Sequence, residues 1–519
     1  MERVRTMPQV RSRHEDVVPD IVQQFVVYFY RHIRERNVDE ILKMYETSFN
    51  KISERFFQGS PWPQAHLIAP YVKNDHVFCM LYKELYFRHL YAKQTPTLQE
   101  RIDSWENYCS LFGVILHGNV NMILPNQWLW DMMDEFVYQF QSFCQYRGKL
   151  AMKSEEEITK LKGCGQVWNA TSVFNFLQAL VDKSGINNIL ADEVPSDPES
   201  FTATQGYGMG SNVLKNLGYY SLLGLLRMHC LTGNYWGALK SIESINIIQP
   251  GHLKRVIGAS VSLYYYAGFA YMMLRRPTDA MRCFSTVLTQ LVRLRKHLPR
   301  MACYAQVSKK QEQLYALLAI CYSYCPRARL LDDGVLNTMK DTLGEKIQSM
   351  AKGDEAAFDE LFTLACPKFV TPSEPSYTET MANYSQDAFR LQLGIFLAEM
   401  SQQHRLSNLS SFLKLYSTIS ISKLSSIMEI DEKELKVQLL DLKERSETLQ
   451  WAGSGGPLDG EPISLLDLDF CLDGDLIKIV DHKVERRYGD FFTSHIAKME
   501  EILGDLKLQQ HQETTSSAS

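Results

Sequence analysis

Apolar residues recur in steps of three and four along nearly all of this chain, and strict alternation is confined to one short stretch near its end. Ile21, Phe25, Tyr28, Phe29 and Ile33 form the first such stripe, and Tyr82, Leu85, Tyr86, His89 and Leu90 form a second. Trp128-Leu129-Trp130 opens a longer one that carries Phe136, Val137, Phe140 and Phe143. Leu214, Leu217, Ser221, Leu225 and Met228 continue the pattern, which passes across the turn residues Gly233-Asn234 to Ala238, Ile242 and Ile245. Side chains spaced this way share one face of an α-helix, whereas a half-buried strand needs a period of two. The chain is therefore predicted to be mainly α. Proline- or glycine-rich breaks separate the stripes at Ser60-Pro61-Trp62-Pro63, Leu124-Pro125-Asn126, the stretch 192–210, Cys366-Pro367, and Pro372 with Pro375.

One helix pair carries a tighter signature. Gly268, Tyr271, Ala280 and Phe284 stand at offsets 0, 3, 12 and 16, the spacing of a tetratricopeptide unit. Small Gly268 and Ala280 let two antiparallel helices approach, Tyr271 and Phe284 fill the groove beside them, and Pro277 suits a first helical turn because its missing N–H has no partner there anyway. The equivalent alanines Ala238 and Ala280 are 42 residues apart, longer than the repeat length of about 34. An irregular helical-repeat solenoid is predicted.

The pattern changes after about residue 405. Ser422 is placed to cap a short helix bearing Leu424, Ile427 and Met428, a turn follows at Glu429-Ile430, and Asp431 with Glu434 makes a capping-box-like start. The next helix carries Leu435, Leu439 and Leu442. After the glycine-rich segment 453–456, a β-hairpin is predicted from Leu466–Phe470 to Leu476–Val480, turning at Asp473-Gly474. Helix, turn, helix and hairpin make a winged helix. Phe492, Ile496, Met499, Leu503 and Leu506 then repeat at coiled-coil-like steps in a final helix.

The 55 Lys+Arg against 60 Asp+Glu give a net charge of -5, so the whole chain has no general attraction for nucleic acid or anionic membrane. The longest apolar runs, Leu263–Leu274 and Leu314–Cys325, are about a dozen residues, against about 20 for a bilayer span. The first 20 residues have no apolar signal-like core, and the 11 cysteines show no CxxC pair, so a reducing, cytoplasmic setting is expected.

Motifs with chemistry are weak. Gly206, Gly208 and Gly210 lack the spacing of a dinucleotide loop, Gly148-Lys149 lacks a P-loop's upstream glycine, and Gly453-Ser454-Gly455 is no nucleophile elbow. Cys321 and Cys325 have no further ligand at zinc spacing and read as core. No catalytic, metal or cofactor site is expected. The winged helix would need a basic face to bind duplex DNA. Its region 405–490 has 11 basic and 16 acidic residues, and the would-be recognition helix 431–448 has 4 and 6. Protein docking is the better expectation.

Helical repeats, a winged helix and a last helix follow the plan of the PCI family, the scaffold subunits of the proteasome lid, the COP9 signalosome and translation initiation factor three. Phe56-Phe57 through Pro61-Trp62-Pro63, 81–89 (LYKELYFRH), 124–131 (LPNQWLWD), 411–416 (SFLKLY) and 486–492 (RRYGDFF) closely resemble the subunit L branch of that family. Many members of that branch begin with a longer Tyr- and Asp-rich extension than this chain does.

The resemblance implies a non-catalytic scaffold in the PCI/MPN core of initiation factor three, with subunits K and E as neighbours. It further implies a link through the assembly to the small ribosomal subunit, mRNA and initiator tRNA. The organisation expected is a disordered start (1–20), an N-terminal helical domain (21–190), the helical-repeat part of the PCI domain (211–404), a winged helix (405–485), a C-terminal helix (486–507) and a disordered tail (508–519). The residues expected to meet other subunits are Asp469, Cys471, Ile477 and Ile479 on the hairpin, and Phe492, Ile496, Met499, Leu503 and Leu506 on the last helix. The run 483–487 is expected to be a solvated helix entry, with an acidic partner or RNA as the alternative.

Overall fold

In the computed structural model the described residues are 18–503, apart from 119, 193–210, 248–255, 297, 299–302, 327–329, 378–382, 454, 467, 482–491, 494, 497, 500 and 501. The expectations for the first 17 residues, for Gly206, Gly208 and Gly210, for the run 483–487, for Leu506 and for the tail lie outside the described residues.

The chain is a mainly α helical-repeat solenoid followed by a winged helix, as its periodicity requires. The first helix, Asp20–Glu35, buries Val22, Phe25, Val26, Phe29 and Ile33, while Ile21 and Tyr28 face outward. The stripe is thus rotated slightly from the one the sequence suggested. Val22 and Val26 share the i, i+3, i+4 face with Phe29, and bulky Tyr28 is left at the rim beside His32. The aromatic helix Asn126–Gly148 runs through the middle of this part. Its Trp128 ring is stacked between Phe29 and Tyr45, both with centroids 5.4 Å away. Tyr45 belongs to one π-helical turn, Met44–Ser48.

Every residue of the helix Val213–Leu231 is buried except Leu214 and His229. The sequence suggested a single apolar face, but its tyrosines, glycines and Arg227 are enclosed too, as befits a helix packed on all sides. Gly224 allows close approach: a Cβ there would lie 3.0 Å from a methyl of Leu177. One apolar core takes in buried side chains from Val18 to Met400, with Trp451 added from the segment after the winged module's second helix. The tetratricopeptide-like pair is Ile257–Met273 and Pro277–Leu294. A Cβ on Gly268 would stand 2.4 Å from the Phe284 ring, so this position admits only glycine unless the ring moves.

Helix Asp387–Leu413 is the spine between two cores. Phe396 and Met400 belong to the large core, and Leu406, Leu409 and Leu413 to a second, smaller one. That second core is completed by Ile419, Ile421, Leu424, Leu435, Leu439, Leu442, Leu468, Phe470 and Ile477. Its helices are Ile421–Met428 and Glu432–Ser446. Ser420, not Ser422, caps the first through Lys423 N–H, Glu429 ends it in the left-handed region (φ 56), and Asp431 caps the second through Lys433 N–H.

The strands are β1 (Thr418–Ser420), β2 (Glu447–Gln450), β3 (Glu461–Ser464), β4 (Leu468–Asp473) and β5 (Leu476–Asp481). β1, β5 and β4 form one antiparallel sheet in that order, and β2 pairs with β3 in another. The hairpin turn is Gly474-Asp475, because Asp473 pairs with Leu476. Only Gly474 has positive φ (64), which fits a type II′ turn with glycine first rather than the Asp473-Gly474 turn read from the sequence.

Candidate protein-interaction site

The winged helix is locked to the solenoid by a polar clasp that grows out of the tetratricopeptide-like turn. Arg276 is buried and donates from Nη1 to Leu458 O at 2.9 Å and Pro457 O at 3.2 Å, and from Nη2 to Asp459 O at 3.0 Å. Its Nε lies 2.8 Å from Asp279 Oδ2. Asp279 accepts Trp451 N–H at 3.1 Å, and Arg282 donates to Trp451 O at 2.9 Å. Tyr271 OH adds a 2.7 Å bond to Pro457 O. Burial raises the Asp279 pKa, and the Arg276 cation opposes that. Charge-assisted bonds to the consecutive carbonyls of 457–459 fix the described residues of 451–459 as a bent strap across the repeat. The glycines read as a linker supply its bends, with φ 90 at Gly453 and φ 82 at Gly455. The sequence announced Tyr271 as repeat packing but gave no sign of the strap, whose partners are 169 to 186 positions away in the chain.

The second helix of the winged module shows how its charges are spent. Lys436 pairs with Asp475 at 3.4 Å, Lys443 with Asp469, and Arg445 with Asp441 at 2.6 Å and Glu399 at 2.8 Å. Three of the four cations that could neutralise phosphate are thus already matched with carboxylates. Val437 and Leu440 are exposed on the same helix.

In the sheet, β5 is the middle strand, and β1 and β4 are the two edge strands. Ile477 is buried and Ile479 half-buried on the inner face, so these two support the module, whereas exposed Asp469 and Cys471 stand on the edge strand. Counting from the two-residue turn, the pairs Leu472–Ile477 and Phe470–Ile479 direct their backbone groups away from each other. Ile479 N–H accordingly donates to Ser417 O on the β1 side at 2.9 Å. Phe470 and Leu472 therefore face the open edge.

Beyond the sheet, residues 492–493, 495–496, 498–499 and 502–503 are helical. Phe492, Ile496, Met499 and Leu503 are 59, 59, 67 and 54% exposed, and Ile502 is exposed with them. Such a contiguous apolar face is a feature of surfaces that meet other proteins.

Another polar cluster lies inside the helical part. Glu84 is fully buried, accepts Trp128 Nε1–H at 3.0 Å and pairs with Arg88. Burial pushes its carboxyl well above the usual range. Burial likewise pushes Asp131 and Glu135 up to about 7. Asp131 accepts from Tyr45 OH at 2.5 Å and Gln127 at 2.8 Å, and Arg227 pairs with Asp134 at 2.6 Å. The Lys310 ammonium, 3.5 Å from the Tyr265 ring centre, is pushed down to about 7 by burial. These groups are committed to one another and tie helices together. Among the described residues no three His, Cys, Asp or Glu side chains converge to hold a metal ion, and no helix is long and apolar enough to cross a membrane. Cys321 and Cys325 are buried in the core.

Residues 100–499 match the family model described as RNA polymerase I-associated factor PAF67. The chain is 42% identical to eukaryotic translation initiation factor 3 subunit L of Nematostella vectensis, over 94% of this chain and 93% of the relative. It is 43% identical to the Gallus gallus protein of that name and 42% to the Homo sapiens one, each over 96% of this chain and 92% of the relative. The chain belongs to the initiation factor 3 subunit L family. The aligned span covers 94–96% of this chain, so the similarity is not confined to one module.

Proposed function

We propose that this member of the subunit L family is a non-catalytic scaffold of translation initiation factor three. It is held in a PCI/MPN core by the open β4 edge and the last helix. The exposure of Phe492, Ile496, Met499 and Leu503 along one terminal helical stretch carries this reading. An apolar stripe of that spacing gains free energy by entering a helical bundle with other chains. Subunits K and E are the proposed neighbours, and the assembled factor would bring the small ribosomal subunit together with mRNA and initiator tRNA. Asp469 and Cys471 would lie against a neighbour's strand, with Ile477 and Ile479 supporting them from within. The rival reading, a duplex-binding winged helix, finds no support in a second helix that has three of its four cations paired with carboxylates.

Met499→Asp combined with Leu503→Asp in the full chain tests this. Both side chains are exposed, so the thermal midpoint should stay within about a degree or two. Recovery of the other factor subunits with the tagged chain should fall about tenfold or more, since two apolar anchors are lost. A folded double variant that recovers them undiminished would contradict the proposal.

A further inference from the structure

The open edge of β4 is occupied at its centre by the chain's own side chains. Phe470 points its backbone N–H and C=O outward, where an added strand would have to bond. Its N–H donates to Asp469 Oδ1 at 2.8 Å, and its carbonyl accepts from Lys443 Nζ at 3.2 Å. Lys443 and Asp469 also pair with each other, and the Lys443 ammonium stands 5.7 Å from the Phe470 ring centre. A lysine from the neighbouring helix and a carboxylate from the strand thus close both hydrogen-bonding groups of one edge residue. Unprotected edges pair indiscriminately, and charged side chains are a common means of blunting them.

From this we propose that Lys443 and Asp469 form a removable guard on the β4 edge, which keeps the free subunit from pairing with a second copy of itself and yields when the strand of a neighbouring subunit is added. The inference rests on the edge-docking reading above. The guard is built for release. Its salt bridge is exposed at both ends, 42 and 51%, and pairs of that kind add little net stability. The neighbouring outward position, Leu472, keeps an exposed side chain beside which an incoming strand can begin to pair.

The test uses the full chain carrying Lys443→Met with Asp469→Ala, which keeps an apolar stem on the helix and removes both bonds to Phe470. Leu472→Pro serves as a separate variant that takes away an outward N–H without breaking a bond to β5. Circular dichroism confirms folding of each. Sedimentation velocity should show the guard-free chain self-associating with a dissociation constant about tenfold lower than wild type, as expected for two freed hydrogen-bonding groups. Adding Leu472→Pro should reverse that gain. Guard removal that leaves self-association unchanged, while Leu472→Pro alone still prevents incorporation into initiation factor three, overturns the guard and leaves edge docking standing. Normal incorporation of the folded Leu472→Pro chain overturns the edge reading itself.

Discussion

Asp131 shows what a single partly buried acid does in this fold. It receives bonds from Tyr45 and Gln127 and lies 3.7 Å from Arg88, yet burial still pushes its pKa up to about 7. The unfolded carboxyl titrates near about 3.9. Between those values the folded chain holds a proton that the unfolded chain has lost, so stability falls as pH rises through that window. Asp131→Asn removes this titration. The apparent melting midpoint of wild type should decline relative to the variant by a few degrees, on the order of the shift that about 1 kcal/mol produces, between pH 5 and 8. Thermal scans across that range check it, and parallel profiles would contradict the assigned environment. Other residues were legible without the fold. Gly268 and Phe284 are in the close contact that their spacing implied. Ser422 was not, because Ser420 and Ser422 are both plausible caps in sequence and only the backbone path of β1 decides for Ser420.

At the scale of elements, helices were readable because their signal is local: a period, a cap and a proline break lie within one segment. The hairpin was readable for the same reason, and its turn shifted by one residue only because type II′ geometry places glycine first. The strap 451–459 and the β2–β3 pair escaped notice. The strap is held by Arg276 and Asp279, which bond it across long sequence separation, and the β2–β3 strands are only four residues each. The strap also yields a test of its weight. Arg276→Ala leaves Asp279 buried with its cation gone, which should cost about 3–5 kcal/mol. Urea unfolding should show that loss, and limited proteolysis should cut first near 451–459. Adding Asp279→Ala should restore part of it, because the stranded charge goes too. A midpoint unchanged by Arg276→Ala would mean that the strap does not hold the winged helix in place.

For the whole molecule, two cores share one spine, since helix 387–413 gives buried side chains to both. Net charge and the acidic winged region already argued against nucleic acid in the sequence, and the ion pairs of Lys436, Lys443 and Arg445 give that argument its geometry. That β4 is an edge strand was not legible, since sheet order depends on β1, a three-residue strand with almost no sequence signal. The central claim is that this chain is an assembling subunit. The most direct measurement is recovery of the tagged full chain from eukaryotic cytosol at moderate salt after nuclease treatment, with its partners quantified by mass spectrometry. The account predicts the other subunits of initiation factor three in near-stoichiometric amounts. Recovery of the chain alone, or with the subunits of another assembly, would contradict it.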